Sequence, residues 1–459
     1  MDYTEFLLKK RFILESSGFN INKYDLNLML YDFQLDIVRW ALAKGKAAIF
    51  ADCGLGKTPM QLEWGHQVHQ HTGGDILLLA PLAVAEQTKR EGDKFDIPVT
   101  ICRSQADVQP GINITNYEML HSFVSKKFTG VILDESSILK NYSSKTRNQI
   151  IDAFSQTPFR LACTATPAPN DYMELGNHSE FLGVMSRAEM LSMYFIHDGG
   201  DTSKWRLKHH AEDIFWQWMA SWSVFINNPA NLGYPGDQFE LPELIIHEHV
   251  VDADEPIKET LSLTERRQAR KDSLNLRVQR AAEIVQSVDR QCLIWCDLNA
   301  ESEALTSAIP GAVEVKGSDS PDHKKSAMLG FSKGEIKNLV TKPSIAGFGM
   351  NWQICSDMIF VGLSDSYEQY YQAVRRCYRF GQTKPVNVHI VISAREGCVK
   401  ENIERKTQDA KKMQTAMIEL TKEITKKELQ STKRITTPYN PKQGIRLPDW
   451  SEMQNAASF

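Results

Sequence analysis

The stretch Ala51-Asp-Cys-Gly-Leu-Gly-Lys-Thr58 follows the short apolar run Ala47-Ala-Ile-Phe50 and precedes a segment with helical spacing. A strand that runs into a glycine-punctuated loop and then opens a helix narrows the fold class sharply. The loop N–H groups and the helix N-terminus together form an anion site the size of a phosphate. Gly54 and Gly56 free the backbone, and Asp52, Cys53 and Leu55 complete the loop. Lys57 is expected to reach the β- and γ-phosphates of a nucleoside triphosphate, and the Thr58 hydroxyl to bind Mg²⁺. The strict form of such a loop has Gly where this chain has Ala51.

More apolar runs alternate with helical segments: Ile76–Ala80, Val131–Leu133, Arg160–Cys163, and then Cys292–Cys296, Ala312–Lys316, Asn338–Thr341, Met358–Gly362 and Val386–Ile392. That alternation predicts βαβ units and parallel sheets, an α/β fold. The 459 residues favour more than one domain. We divide the chain into an N-terminal helix (1–24, with Phe6, Leu7, Phe12 and Ile13 on apolar positions), a first α/β block (25–180), an insertion (181–245), a second α/β block (246–400) and a C-terminal segment (401–459). The insertion loses the strand signal, is rich in Trp, Met, Phe and His, and reads as helical. In the last segment Met413, Met417, Leu420 and Ile424 fall at helical spacing, and Pro438, Pro441 and Pro448 mark an irregular tail. That helix carries a mild basic excess that could touch phosphates. The preferred reading is an amphipathic helix packed on the second block.

Hydrophobic content of 42% and charged content of 24% are those of ordinary globular protein. No apolar run of about 18 residues predicts a membrane span, and the first residues lack the pattern of a signal peptide. The eight cysteines show no metal spacing and read as buried thiols in a reducing compartment. A net charge of −4 argues against a partner bound by charge spread everywhere, but one basic groove suffices for nucleic acid.

Three further motifs carry chemistry. Asp134-Glu135 ends an apolar strand, where an Asp can hold Mg²⁺ and the adjacent Glu can orient or deprotonate the attacking water. Such a pair is weak evidence alone and strong with a phosphate loop upstream. Thr164 and Thr166 follow another strand and could link the γ-phosphate to a domain interface; a plain Thr/Pro turn is the simpler alternative. Gln372-Ala-Val-Arg-Arg-Cys-Tyr-Arg-Phe-Gly-Gln382 carries three arginines. On a helix Arg376 and Arg379 share a face and Arg375 points elsewhere. An arginine placed in another domain's nucleotide site neutralises transition-state charge.

Taken together these motifs resemble those of the Swi/Snf-type branch of superfamily 2 ATPases, in the compact form found in bacteria and their phages, over roughly residues 25–400. Asn27-Leu-Met-Leu-Tyr-Asp-Phe-Gln34 is similar to the family's adenine-reading segment, with Gln34 as the contact. Leu79-Ala-Pro81 and Thr115-Asn-Tyr117 resemble its nucleic-acid segments in the first lobe. Leu293-Ile-Trp295, Lys316-Gly-Ser318, Ala346-Gly-Phe-Gly349-Met-Asn351 and Gln372 to Gln382 resemble the motifs of the second lobe. The acidic box departs from the pattern at Ser136-Ser137, as does the stretch 341–345.

The resemblance implies two RecA-like lobes with ATP and Mg²⁺ between them and DNA across both. It implies Lys57, Glu135, Arg376 and Arg379 as catalytic residues, Gln34, Asp134 and Gly349 beside the loop as nucleotide contacts, and Pro81, Thr115, Thr164 and Ser318 as nucleic-acid contacts. Arg375 matches a variable position of the pattern. The expected activity is ATP-driven translocation on duplex or branched DNA, serving recombination, repair, fork remodelling or protein displacement in a bacterial cytoplasm or nucleoid, with a monomer favoured. A strand-separating helicase and a nucleic-acid-binding module with a decayed ATPase are the alternatives. Within the insertion, Lys204, Arg206 and Lys208 could contact phosphates and Trp205 could stack on a base. A polar loop with a packing Trp is an equal reading. A metal site from His197, Asp198, His209 and His210 is a minor one.

Overall fold

The computed structural model describes residues 16–81, 84–198, 201–252, 263–346, 350–364 and 366–430. The expected N-terminal helix, the irregular tail and Gly349 fall at least in part outside these residues. The strands are β1 (Lys46–Ala51), β2 (Asp75–Ala80), β3 (Val99–Ile101), β4 (Ile112–Asn116), β5 (Phe128–Asp134), β6 (Phe159–Thr164), β7 (Phe195–Asp198), β8 (Asp201–Leu207), β9 (Ser223–Ile226), β10 (Leu244–Val251), β11 (Cys292–Cys296), β12 (Ala312–Val315), β13 (Asn338–Thr341), β14 (Asp357–Val361) and β15 (Val386–Ser393). Five helices matter below: α1 (Asp32–Lys44), α2 (Lys57–Thr72), α3 (Glu212–Ala220), α4 (Tyr367–Val374) and α5 (Gly397–Gln430).

Two parallel sheets form two α/β lobes. The first has the order β3-β4-β2-β5-β6-β1-β9 and the second β10-β15-β14-β11-β13-β12. Every pairing within them is parallel. The apolar runs explain this: strands covered by helices on both faces need apolar side chains in both directions. In β1, Ala47, Ile49 and Ala51 enter the core on one face while Ala48 and Phe50 enter the core on the other. The second lobe repeats the arrangement, with Leu293 and Trp295 of β11 on one face and Cys292, Ile294 and Cys296 on the other.

The stretch 181–245 is only partly helical, which corrects the expectation. It contains an antiparallel hairpin, β7 with β8, and β9, which pairs with β1 and completes the first sheet. A four-residue Ser-Val-Phe-Ile run behind a Trp-rich helix cannot be told from helix by periodicity. The tryptophans are core residues: Trp216, Trp218 and Trp222 of α3 and its C-terminal turn are each at most 2% exposed and join the core beneath the first sheet.

The position of α5 is a second correction. Met417 and Ile418 enter the core of the first lobe with the α3 aromatics, and Leu429 enters the core on its opposite face. Arg39 of α1 donates to the Leu429 carbonyl at 2.8 Å. The buried stripe runs through Met417, Thr421, Thr425 and Leu429, and Leu420 is 40% exposed. Thr421 is accommodated because its hydroxyl donates to the Met417 carbonyl of its own helix at 2.6 Å. Among the described residues no helix is long and apolar enough to cross a membrane.

Candidate active site

The site residues lie at the C-terminal ends of the first sheet's strands, where parallel sheets leave a crevice for ligands. The loop between β1 and α2 turns through Gly54 (φ +92°) and Gly56 (φ +75°). Both glycines are required by space as well as by backbone angle. A Cβ on Gly54 would stand 2.7 Å from the Phe380 backbone nitrogen, and one on Gly56 would stand 2.2 Å from Gln34 Nε2. Lys57 Nζ donates to the Ala51 carbonyl at 2.9 Å. Gln34 is buried beside the loop, donating to the Leu55 carbonyl at 2.9 Å and accepting from Tyr31 N–H at 2.9 Å. It therefore supports the loop whether or not it also meets a base.

Asp134 ends β5, two strands from β1 in the sheet. Its Oδ1 accepts from Gln61 Nε2 of α2 at 2.8 Å, and its carbonyl accepts from the buried Tyr117 hydroxyl at 2.6 Å. Burial, reinforced by Glu135, pushes its carboxyl up to about 6. Glu135 has φ +54°, a left-handed conformation unusual for a side chain of this size. Its Oε2 accepts from Thr164 Oγ1 at 3.4 Å. Ser136, where the acidic box departs from the family pattern, turns inward to His178 Nε2 at 3.1 Å. Burial lowers that imidazole to about 4.

The second lobe meets the loop through the segment after α4. The helix ends at Val374 with Arg375 as its C-cap, and the arginines follow on the turns just beyond it. Arg375 forms an ion pair with Asp52 of the phosphate loop. Arg375, set aside at a variable position of the pattern, points away from Arg376 and Arg379 as expected, and it reaches into the first lobe. Arg376 stays within its own lobe. It is 4% exposed, and its guanidinium donates to the Gln372 carbonyl (3.0 Å), the Gln372 side chain (3.1 Å) and the Met350 carbonyl (3.2 Å). Arg379 also donates to Met350 O, at 3.4 Å. Burial and the nearby Arg376 lower its guanidinium to about 10. Phe380 lies against Gly54 and stacks on Phe239 with ring centroids 4.9 Å apart. Lys140, just beyond the acidic box, pairs with Glu368 of α4.

The proposed nucleic-acid contacts divide. Pro81 and the exposed Ser318 lie just past the ends of β2 and β12. Thr115 is 3% exposed and Thr164 fully buried, so neither meets DNA in this arrangement. Both lie inside a sheet covered on its two faces, and Thr164 serves Glu135 instead. In the hairpin Arg206 is exposed and Trp205 half-buried, packed against the first-lobe core with the His197 ring 3.6 Å away. Lys208 is tied to the Ser192 and Met193 carbonyls at 2.8 and 3.1 Å. The side chains of Lys204 and Asp198 are outside the described set. Among the described residues no group of three or more His, Cys, Asp or Glu is placed to hold a metal.

Residues 277–381 match the helicase conserved C-terminal domain. No curated protein matches this chain. Among solved structures it is similar to the SWI2/SNF2 ATPase core of Sulfolobus solfataricus in complex with dsDNA, at 17% identity over 89% of this chain and 98% of that one, with a TM-score of 0.42. The stretch matched to the helicase domain includes Arg375, Arg376, Arg379 and Phe380. Tyr371, four residues before Arg375, escaped sequence reasoning. Its i, i+4 spacing to that arginine is the signal that could have found it.

Proposed function

We propose that this chain is an ATP-dependent motor of the Swi/Snf type that tracks double-stranded DNA and remodels DNA or protein–DNA structures. The observation that carries the reading is the junction itself. Lys57, Asp134 and Glu135 gather at the ends of β1 and β5, and the arginine segment of the second lobe abuts the same loop through Arg375 and Asp52.

The donors suit a nucleoside triphosphate with Mg²⁺. Two glycines of positive φ open the loop backbone, the helix N-terminus and Lys57 favour phosphate, and Thr58 with Asp134 offers oxygen ligands for a hard cation. Bound Mg²⁺ would offset charge on the β- and γ-phosphates. Glu135 orients the attacking water, and Thr164 holds that carboxylate in place. Arg379 and Arg376 add positive charge from the second lobe. Gln34 stiffens the loop, and the resemblance assigns it the adenine contact. Arg206 and Trp205 are the hairpin groups best placed for DNA, with Pro81 and Ser318 past the C-terminal ends of β2 and β12. The resemblance to compact bacterial and phage forms supports a monomer working in a bacterial cytoplasm or nucleoid.

The test is ATP turnover measured across blunt duplex, fork, four-way junction, single strand and RNA. Duplex DNA should stimulate strongly, and Lys57→Ala and Glu135→Gln should abolish turnover. Equal stimulation by single strands or RNA would defeat the duplex-tracking reading. A plain overhang duplex should stay paired, and its separation would point to a strand-separating helicase.

A further inference from the structure

Asp52 has contacts in three directions. Its Oδ1 accepts from the Tyr371 hydroxyl at 2.5 Å and from Cys53 N–H at 2.6 Å, while Oδ2 pairs with Arg375. Its backbone N–H donates to the Ile226 carbonyl at the end of β9, at 2.9 Å. Its own carbonyl receives Lys57 Nζ at 3.4 Å. One loop residue thus touches the second lobe, the edge strand of the first sheet and the phosphate-binding lysine.

Arg375 is equally constrained. Its Nε donates to the Tyr371 hydroxyl at 3.4 Å and its NH1 to the Tyr378 carbonyl at 3.2 Å. The guanidinium lies 5.5 Å from the ring centroids of both tyrosines. The side chains of Arg375 and Asp52 are 9% and 13% exposed. Burial alone would raise the Asp52 carboxyl, but Arg375 and the Tyr371 hydrogen bond outweigh it and the carboxyl is lowered. A buried pair of this kind contributes little net stability, because desolvation offsets attraction. What it supplies is a fixed geometry.

We infer that Asp52 and Arg375, braced by Tyr371, are a positioning pair across the lobes that sets the phosphate loop and Lys57 in register with the second lobe. Neither side chain is assigned a contact with phosphate. The inference rests on the ATPase reading above and adds to it a residue at a variable position of the family pattern.

The experiment is a double-mutant cycle on the full chain with Asp52→Asn, Arg375→Gln and the two combined. Three quantities are read: ATP turnover with saturating duplex DNA, affinity for a fluorescent ATP analogue, and compactness by small-angle scattering. Each single variant should lose about tenfold or more in turnover, as small misplacements do. Affinity should stay within about threefold, and the double variant should be no worse than either single one, because the two effects are coupled. Both variants should scatter as more open particles. Effects that multiply independently, or a fall in affinity at constant turnover, would overturn the pair. A wild-type chain without turnover whose compactness still depends on Arg375 and Asp52 would defeat the ATPase reading and leave the pair standing.

Discussion

At the scale of the residue, the site is built by side chains that hold backbone rather than by side chains aimed at solvent. Gln34, Asp52 and Gln61 each anchor a neighbour of the phosphate loop or the acidic strand. Gly54 is the most demanding position, because the second lobe's backbone at Phe380 fills the space a side chain would need. Gly54→Ala should cost about 1 kcal/mol or more from the positive φ alone, read as a shift in the urea midpoint. ATP turnover should fall much further than stability, because the added methyl pushes Phe380 and its lobe away. A variant that keeps full turnover would show that Phe380 does not need this approach.

At the scale of the element, much was legible in the sequence and the failures have physical causes. Long apolar runs such as Ile76–Ala80 and Cys292–Cys296 became central strands because only a doubly covered strand uses apolar residues in both directions. β9 was missed because four residues carry no period. The face of α5 was misread because Thr421 and Thr425 occupy buried positions that a hydrophobic pattern does not count. Helical spacing separated Arg375 from Arg376 and Arg379 correctly, and Arg375 was passed over only because it stands at a variable position of the family pattern.

Two predictions belong at the same scale. Ile418→Ala on α5 removes a side chain 3% exposed in the first-lobe core. It should lower stability by about 2–4 kcal/mol, measured by denaturant unfolding, whereas a helix resting on the second lobe alone would leave the first-lobe transition unmoved. On the edge of the second sheet, His247 and His249 of β10 stack on His389 of β15 with ring centroids 4.6 and 5.3 Å apart. Burial, then His247, His249 and Arg280, lowers His389 to about 4 against Asp357, which favours its charge. Its folded value lies below the ordinary 6.5, so the unfolded chain binds more protons between those values. Its contribution is complete above about 6.5 and is lost as pH falls toward about 4. His389→Gln should flatten the dependence of the melting temperature on pH across that window. An unchanged slope would remove His389 from the account.

At the scale of the whole molecule, ion pairs join the lobes at the two ends of α4, Lys140 with Glu368 in its first turn and Asp52 with Arg375 just past its last, and Lys325 with Glu86 joins them elsewhere. Burial lowers the Lys140 ammonium, which its neighbour Glu174 partly opposes. Glu368→Lys sets like charges face to face and should disfavour the closed arrangement by on the order of a few kcal/mol. Turnover should drop and scattering should show a more open particle, with each lobe's own unfolding unchanged. A compact, fully active variant would show that this pair is incidental.

The path of the chain between the lobes has a mechanical consequence. It leaves the first sheet at β9, whose last carbonyl, on Ile226, accepts the Asp52 N–H at the root of the phosphate loop. Past that strand Leu232 and Phe239 are seated in the first-lobe core, and the Tyr234 hydroxyl donates to Asp36 at 2.7 Å. Load carried along the connector therefore falls on these anchors before it reaches Ile226, and the phosphate loop is shielded from it.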